Sequence, residues 1–236
     1  MDATPELKRL WTRDAFWEGA AAMLPLLPGL IAFGFAFGTV AARKGFSLFE
    51  ACMMSATVYA GVAQIVVVES WPQQLTAGAI AAGAAVTALV CSRFLLIGAS
   101  MRPWLGGLPA TKIYPMLYLL TEPPWLLSTR YYRNGGNDPA FVLGCCAITW
   151  VTWVLSTAPG YWLGAVIGDP QRVGLDLVMP AFFVAMLVSL WQGPRRAISW
   201  VVGSAVALAT AQFFGGFWYV VTGALAGSIT GGFIDD

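Results

Sequence analysis

An all-α fold set in lipid, a polytopic membrane bundle with broken helices, follows from three observations on this 236-residue chain. Its side chains are 58% hydrophobic and only 11% charged. Uncharged stretches of roughly 20 residues, the length of helix that crosses a hydrocarbon slab, recur along it. Most of the 26 glycines, and Pro25, Pro28, Pro159 and Pro180 among the 14 prolines, lie within those stretches. A soluble domain carries about a quarter of its residues as Asp, Glu, Lys or Arg to keep its surface wet, and this chain falls far short.

The first apolar segment runs over residues 19–42 without a charge, the second over 51–68, and the third over 75–101, interrupted only by Arg93. After a polar connector come 141–167, 177–191 and 197–234, the last long enough for two crossings with a turn at Gly215 and Gly216. Six or seven spans are expected. Residues 1–18, which mix Lys8, Arg9 and Arg13 with Asp2, Glu6, Asp14 and Glu18, read as a cytoplasmic or interfacial segment and match a cleaved signal peptide poorly. Residues 19–234 then form a single transmembrane domain. The stretch 113–128 is short and holds Pro115, Glu122, Pro123 and Pro124; it reads as a broken or re-entrant helix, or as an interfacial one. Its placement decides the topology: counted as non-spanning, the basic residues favour an outside start, while counted as spanning they are too evenly shared to fix an orientation, so none is assigned.

Composition also removes several functions. Thirteen Lys and Arg against twelve Asp and Glu leave a charge of +1, with no basic field for a nucleic acid. The absence of His removes every Ser-His-Asp or His-zinc arrangement. Cys52 and Cys91 are isolated, and Cys145 and Cys146 are adjacent, without the spacing of a metal-binding pair; all four read as small buried hydrophobes. No enzyme activity, cofactor or metal is therefore expected. Trp11, Trp17, Trp71, Trp104, Trp125, Trp191 and Trp218 mostly flank apolar stretches, as interfacial tryptophans do.

Glycine and proline carry the next signal. Gly34 and Gly38, Gly160 and Gly164, Gly164 and Gly168, and Gly223 and Gly227 have the GxxxG spacing that lets helix backbones approach closely in lipid. Pro28-Gly29 followed by Gly34 and Gly38 is echoed about 130 residues later by Pro159-Gly160 followed by Gly164 and Gly168. Helix breakers at corresponding places in two halves, here 19–130 and 138–234, are the pattern of discontinuous helices framing a mid-membrane site in transporters. Packing alone would also account for any single glycine.

Few polar groups lie inside the apolar segments. Arg93, preceded by Ser92, sits where an arginine costs several kcal/mol unless it meets a partner, water or headgroups. It either contacts a substrate carboxylate through paired hydrogen bonds or snorkels to the interface. Gln64, following Tyr59-Ala60-Gly61-Val62-Ala63, suits a substrate contact or an interhelical bond equally. Glu122 could pair with Arg93, carry a proton or sit wet at the surface. Glu69 reads as interfacial. Asp176 reads as the N-cap of the following apolar run.

These stretches in this order, Pro25 through Gly38 with Phe33-Gly34, Tyr59 through Gln64, Ser92-Arg93-Phe94-Leu95-Leu96, Thr121-Glu122, and Leu175-Asp176-Leu177 through Pro180-Ala181-Phe182-Phe183, resemble the AzlC family. That family supplies the large membrane component of branched-chain amino-acid exporters. The chain departs from the family pattern at Cys91, where an Asn is common, and at Glu122, where an Asp is common, which leaves room for an altered substrate preference. The resemblance implies a multi-pass protein of the bacterial inner membrane and export of branched-chain or other hydrophobic amino acids, Met included. It also implies a small AzlD-like partner. With it, Tyr59, Gln64, Ser92, Arg93 and Glu122 become the expected substrate contacts, and Pro28, Gly29, Gly34, Gly38, Pro159, Gly160 and Gly164 the helix-breaking or close-packing positions. The alternative is a membrane assembly or receptor subunit that transports nothing.

Overall fold

The computed structural model describes residues 11–69, 71, 76–166, 184, 188, 191, 193–213 and 218–235. Every regular element among them is helical. The chain forms two units, residues 1–182 and 183–236.

The first unit is organised by two long helical runs. Thr12 caps α1 (Arg13–Met23), its hydroxyl accepting the Ala15 N–H. A single 3-10 turn, Leu24–Leu26, joins α1 to α2 (Leu27–Arg43). Pro25 and Pro28 fall in the first turns after each change of helix, where a missing N–H costs nothing. Arg13 to Glu18 thus belong to the same helical run as the first apolar segment. A second long helix, here α10 (Pro139–Val166), packs along this run. Arg13–Arg43 and Pro139–Gly164 are both long and apolar enough to cross a bilayer.

The two runs are parallel. Thr12 donates through its N–H and its hydroxyl to one oxygen of buried Asp138, at 2.9 and 2.6 Å, while the other accepts the Ala140 N–H. One carboxylate therefore binds the start of α1 and caps the start of α10. Further along, Cys145 Sγ meets the Gly19 carbonyl at 3.2 Å, and Thr39 donates to the Gly160 carbonyl at 3.0 Å. A Cβ on Gly34 would strike Ser156, one on Gly38 the backbone of Thr157 and Tyr161, one on Gly160 the backbone of Phe35, and one on Gly164 that of Thr39. The four glycines singled out by spacing form this crossing. Pro159, expected at a helix break, lies inside α10, which runs through it without interruption. The close contact of Gly160 and Gly164 with α2 holds the backbone helical on either side of the proline, so packing overrides the lost donor.

Two helical hairpins enter from opposite ends of this pair. At the α2 end, Gly45 (φ +81°) closes α2 with Phe46 N–H returning to the Ala41 carbonyl. Ser47 and Glu50 then form a capping box that starts α3 (Leu48–Thr57). Ser55 shares a 2.7 Å hydrogen bond with Thr157, and Trp150 Nε1 donates to the Ala56 carbonyl, so α3 runs back along α10. It ends midway. Tyr59, at φ +47°, is the one non-glycine among the described residues in the left-handed region, a conformation that costs about 1–2 kcal/mol. The chain reverses there into α4 (Gly61–Glu69), whose last carbonyl accepts from Lys44 Nζ at 2.5 Å. Segment 51–68, expected as one span, is thus a hairpin that leaves where it entered. Its helices share a core with Leu30, Phe33, Phe37 and Trp153.

Helix α5 (Ala77–Cys91) and helix α6 (Arg93–Ser100), joined at Ser92, carry the chain to the other end, followed by the single turn α7 (Arg102–Leu105). The second hairpin starts there. Helix α8 (Ala110–Tyr118) has Lys112 over the Trp11 ring at 4.6 Å, and its last residue, Tyr118, donates to the Ala56 and Thr57 carbonyls at 3.1 and 2.6 Å. Helix α9 (Glu122–Arg133) returns, stacking Tyr131 on Phe141 at 4.0 Å. The 113–128 segment is accordingly a broken helix whose tip, residues 119–121, meets the tip of the first hairpin.

In the second unit, helix α11 (Pro194–Phe213) and helix α12 (Trp218–Asp235) are antiparallel. Gly203 faces Gly223 and Gly227, and Thr222 donates to Thr210 at 2.8 Å. The Gly215 and Gly216 turn, Gly168, Asp176, and nearly all of the 177–191 segment, including Pro180 to Phe183, lie outside the described residues.

The α2–α10 crossing gives a direct test. Gly38→Ala is expected to destabilise the protein by about 1–3 kcal/mol, the usual cost of overpacking. Gly232→Ala, which meets nothing within 4 Å, should melt with the parent. Equal melting temperatures in detergent for Gly38→Ala and the parent would refute the close crossing.

Candidate functional site

The site is built where the two hairpin tips meet beside the α5–α6 joint. Helix ends buried away from water leave backbone groups that need partners, and the tips meet that need unevenly. The carbonyls at the end of α3 are supplied by Tyr118 and Trp150. At the start of α4, Gln64 reaches back so that its Oε1 accepts the Ala60 N–H at 3.1 Å. The next three N–H groups, of Gly61, Val62 and Ala63, have no carbonyl within the helix to bond. Gln64 is 0% exposed, and its Nε2 has no partner.

Tyr59 is 5% exposed. Its hydroxyl lies beside Thr121 and within electrostatic range of Glu122, yet makes no hydrogen bond of standard geometry. Trp153 Nε1, also buried, is a third donor without a partner. The Trp153 ring lies against Phe33 and Phe37 and under the start of α4. There a Cβ on Gly61 would come within 2.8 Å of Trp153 and 3.0 Å of Phe33.

Across from these donors, Arg93 Nε stands 2.7 Å from Glu122 Oε1, with the side chains 37% and 21% exposed. The contact is a charge pair rather than an aligned hydrogen bond. Glu122 is the first residue of α9, a favourable place for negative charge. Pro123 and Pro124 follow it, so α9 offers few free N–H groups of its own. Of the two helix starts at the tips, that of α4 has more N–H groups without a carbonyl in their own helix. Arg93 also lies over the Phe94 ring, at 5.3 Å, and Cys91 is in electrostatic range of both charges.

Of the expected contacts, Arg93 and Glu122 meet directly, Tyr59 lies on their side of the tips, and Gln64 is one turn into the same hairpin. Ser92 is exposed at the α5–α6 joint. Glu69, expected at the interface, ends α4 beside Lys44. Open clefts of about 340 Å³ occur at each end of the helix pair, one including Trp11, Phe16 and Trp17 and the other Val40, Arg43, Lys44 and Glu69; neither includes the ion pair. Sequence reasoning missed Tyr118, Trp150 and Trp153. The two tryptophans had a signal, since they sit in the middle of an apolar segment rather than at its edge. Tyr118 had none beyond its place before the tip.

The family model described as AzlC protein matches residues 25–167. The chain is 29% identical over 223 residues to the inner membrane protein YgaZ of Escherichia coli (strain K12), covering 91% of this chain and 89% of the relative. It is 24% identical over 220 residues to the branched-chain amino acid transport protein AzlC of Bacillus subtilis (strain 168), covering 92% and 84%. It is 26% identical over 202 residues to an uncharacterized membrane protein of Archaeoglobus fulgidus, covering 82% and 84%. No solved structure matches. The matched region holds the glycine crossing, both hairpins and the ion pair, and this membrane protein belongs to the AzlC family.

Proposed function

We propose that the protein is the large subunit of a multi-pass exporter of the bacterial inner membrane, carrying branched-chain or other hydrophobic amino acids by alternating access with a small AzlD-like partner. Family membership supports the general role, transport across a membrane, and the name of the Bacillus subtilis relative supports the cargo class. The observation that carries the reading is the set of buried donors without partners at the hairpin tips: Gln64 Nε2, Tyr59 Oη and Trp153 Nε1. Each such group costs about 1–3 kcal/mol when left unpaired. A cargo carboxylate placed among them and the free N–H groups of Gly61, Val62 and Ala63 would recover that cost and gain from the α4 dipole. Phe33 and Trp153 supply an apolar wall for a branched side chain.

Alternating access fits two hairpins entering from opposite ends. Each closes one approach to the tips, and withdrawing either would open the site to one side only. No bond is made or broken in this cycle, so the proposal assigns no enzymatic role.

Counterflow of labelled Leu, Ile, Val and Met in proteoliposomes, with and without the small partner, tests the function. Accelerated exchange is expected for these amino acids and not for Asp or Lys. Absence of exchange for all four with the partner present would favour the assembly or receptor alternative. Sidedness tests the hairpins separately. Lys44→Cys and Thr76→Cys should be labelled from the same face of the membrane, and Asn134→Cys from the other. Labelling of Lys44→Cys and Thr76→Cys from opposite faces would make 51–68 an ordinary span.

A further inference from the structure

The Arg93–Glu122 pair poses a question that the cargo reading leaves open, and the answer rests on that reading. An amino acid carries a carboxylate and an ammonium close together, and the tips present two unlike surroundings. On the first hairpin are groups that can donate to a carboxylate: Gln64 Nε2, Tyr59 Oη and the opening N–H groups of α4. On the second is one carboxylate, Glu122, already held by Arg93 at 2.7 Å. The two tips are in contact, Tyr118 before the second donating to the Ala56 and Thr57 carbonyls before the first, which puts both surroundings on one ligand's path.

We infer that Arg93 is the occupant of the ammonium site in the empty protein: the cargo's ammonium takes its place on Glu122 while the cargo's carboxylate takes the donors at the start of α4. Arg93 has somewhere to go, because it is more than a third exposed and already lies over the Phe94 ring. The exchange keeps one cation on Glu122 in both states. The ligand class is therefore an α-amino acid with both charges present. A carboxylic acid alone fills the donors of the first hairpin and leaves Arg93 on Glu122, and an amine alone displaces Arg93 and leaves those donors unfilled, so each lacks half of what an amino acid engages.

This assignment gives Arg93 the opposite role from a carboxylate ligand, and the two roles predict opposite effects. Leucine counterflow in proteoliposomes separates them, with L-leucine, L-leucinamide, isoamylamine and 4-methylpentanoate as competitors. Arg93→Gln removes the competing cation, so the half-saturating leucine concentration should fall several-fold, and Arg93→Lys should lie between it and the parent. Glu122→Gln should raise it at least tenfold and abolish competition by isoamylamine. In the parent, isoamylamine and 4-methylpentanoate should each compete more weakly than L-leucine, and Arg93→Gln should strengthen competition by isoamylamine while leaving that by 4-methylpentanoate unchanged. A rise in half-saturation for both Arg93→Gln and Arg93→Lys, with competition by 4-methylpentanoate lost in Arg93→Gln, would overturn the exchange and restore Arg93 as the carboxylate ligand, leaving the transport reading intact. No counterflow in the parent with any of the four cargoes would overturn both. Circular dichroism and melting of each variant in detergent identify a loss of fold, and Arg93→Lys, which keeps the charge, decides the matter if Arg93→Gln does not fold.

Discussion

The backbone contact between α2 and α10 fixes everything else in the first unit. Gly38 on one helix and Gly160 and Gly164 on the other bring the two main chains into direct contact, and Gly34 leaves room for the Ser156 side chain alone. In lipid, where apolar surface gains little by meeting apolar surface, such contact depends on dispersion and on the few available hydrogen bonds, here Thr39 to the Gly160 carbonyl. Because the helices are parallel, the chain between Arg43 and Pro139 must return to its starting end. It does so with one full traverse, α5–α6, and the two hairpins flank that traverse without adding to it. The parallel pair therefore leaves the middle of its own length to be filled by broken helices.

Broken helices create a debt of unpaired backbone groups, and its uneven settlement is what gives the site its chemistry. At the carbonyl ends, Tyr118 and Trp150 donate to the last turn of α3. At the N–H ends the supply is poorer. Gln64 spends its oxygen on Ala60 and keeps an idle amide, while α9 begins with a carboxylate and two prolines that have no N–H to offer. The result is a surplus of donors on one hairpin and a compensated negative charge on the other. A dipolar ligand suits that arrangement better than a simple anion or cation.

Much of this was legible in the sequence, but only where the physics is local. Hydropathy marked residues 141–167 closely, and GxxxG spacing marked the crossing, because both depend on side-chain size and polarity at short range. The interior charges Arg93 and Glu122 stood out for the same reason, and their pairing was one of the alternatives open for Glu122. Whether an apolar segment crosses or turns back is a different matter. Residues 51–68 are long enough to span, and the reversal is made by Tyr59, a residue type that does not favour a left-handed backbone. Its conformation is imposed by what surrounds it: Phe33 and Trp153 against Gly61, and Tyr118 on the end of α3. Conversely Pro159, a conventional breaker, is carried through an unbroken helix because α2 lies against the next turn.

The echo between Pro28-Gly29-Gly34-Gly38 and Pro159-Gly160-Gly164-Gly168 takes on a specific meaning from that crossing. Two repeated halves would place corresponding glycines in corresponding settings, each about 130 residues from its counterpart. The contacts keep another register, with Thr39 bonded to Gly160 and Gly19 to Cys145, separations of 121 and 126 residues. Gly38 consequently meets the backbone around Gly160. A helix that presents its main chain to a partner needs a groove of small residues, and the partner needs a matching one, so similar spacing arises on both faces of a single interface. On α2 and α10 the recurrence is fitted to one interface between the two helices.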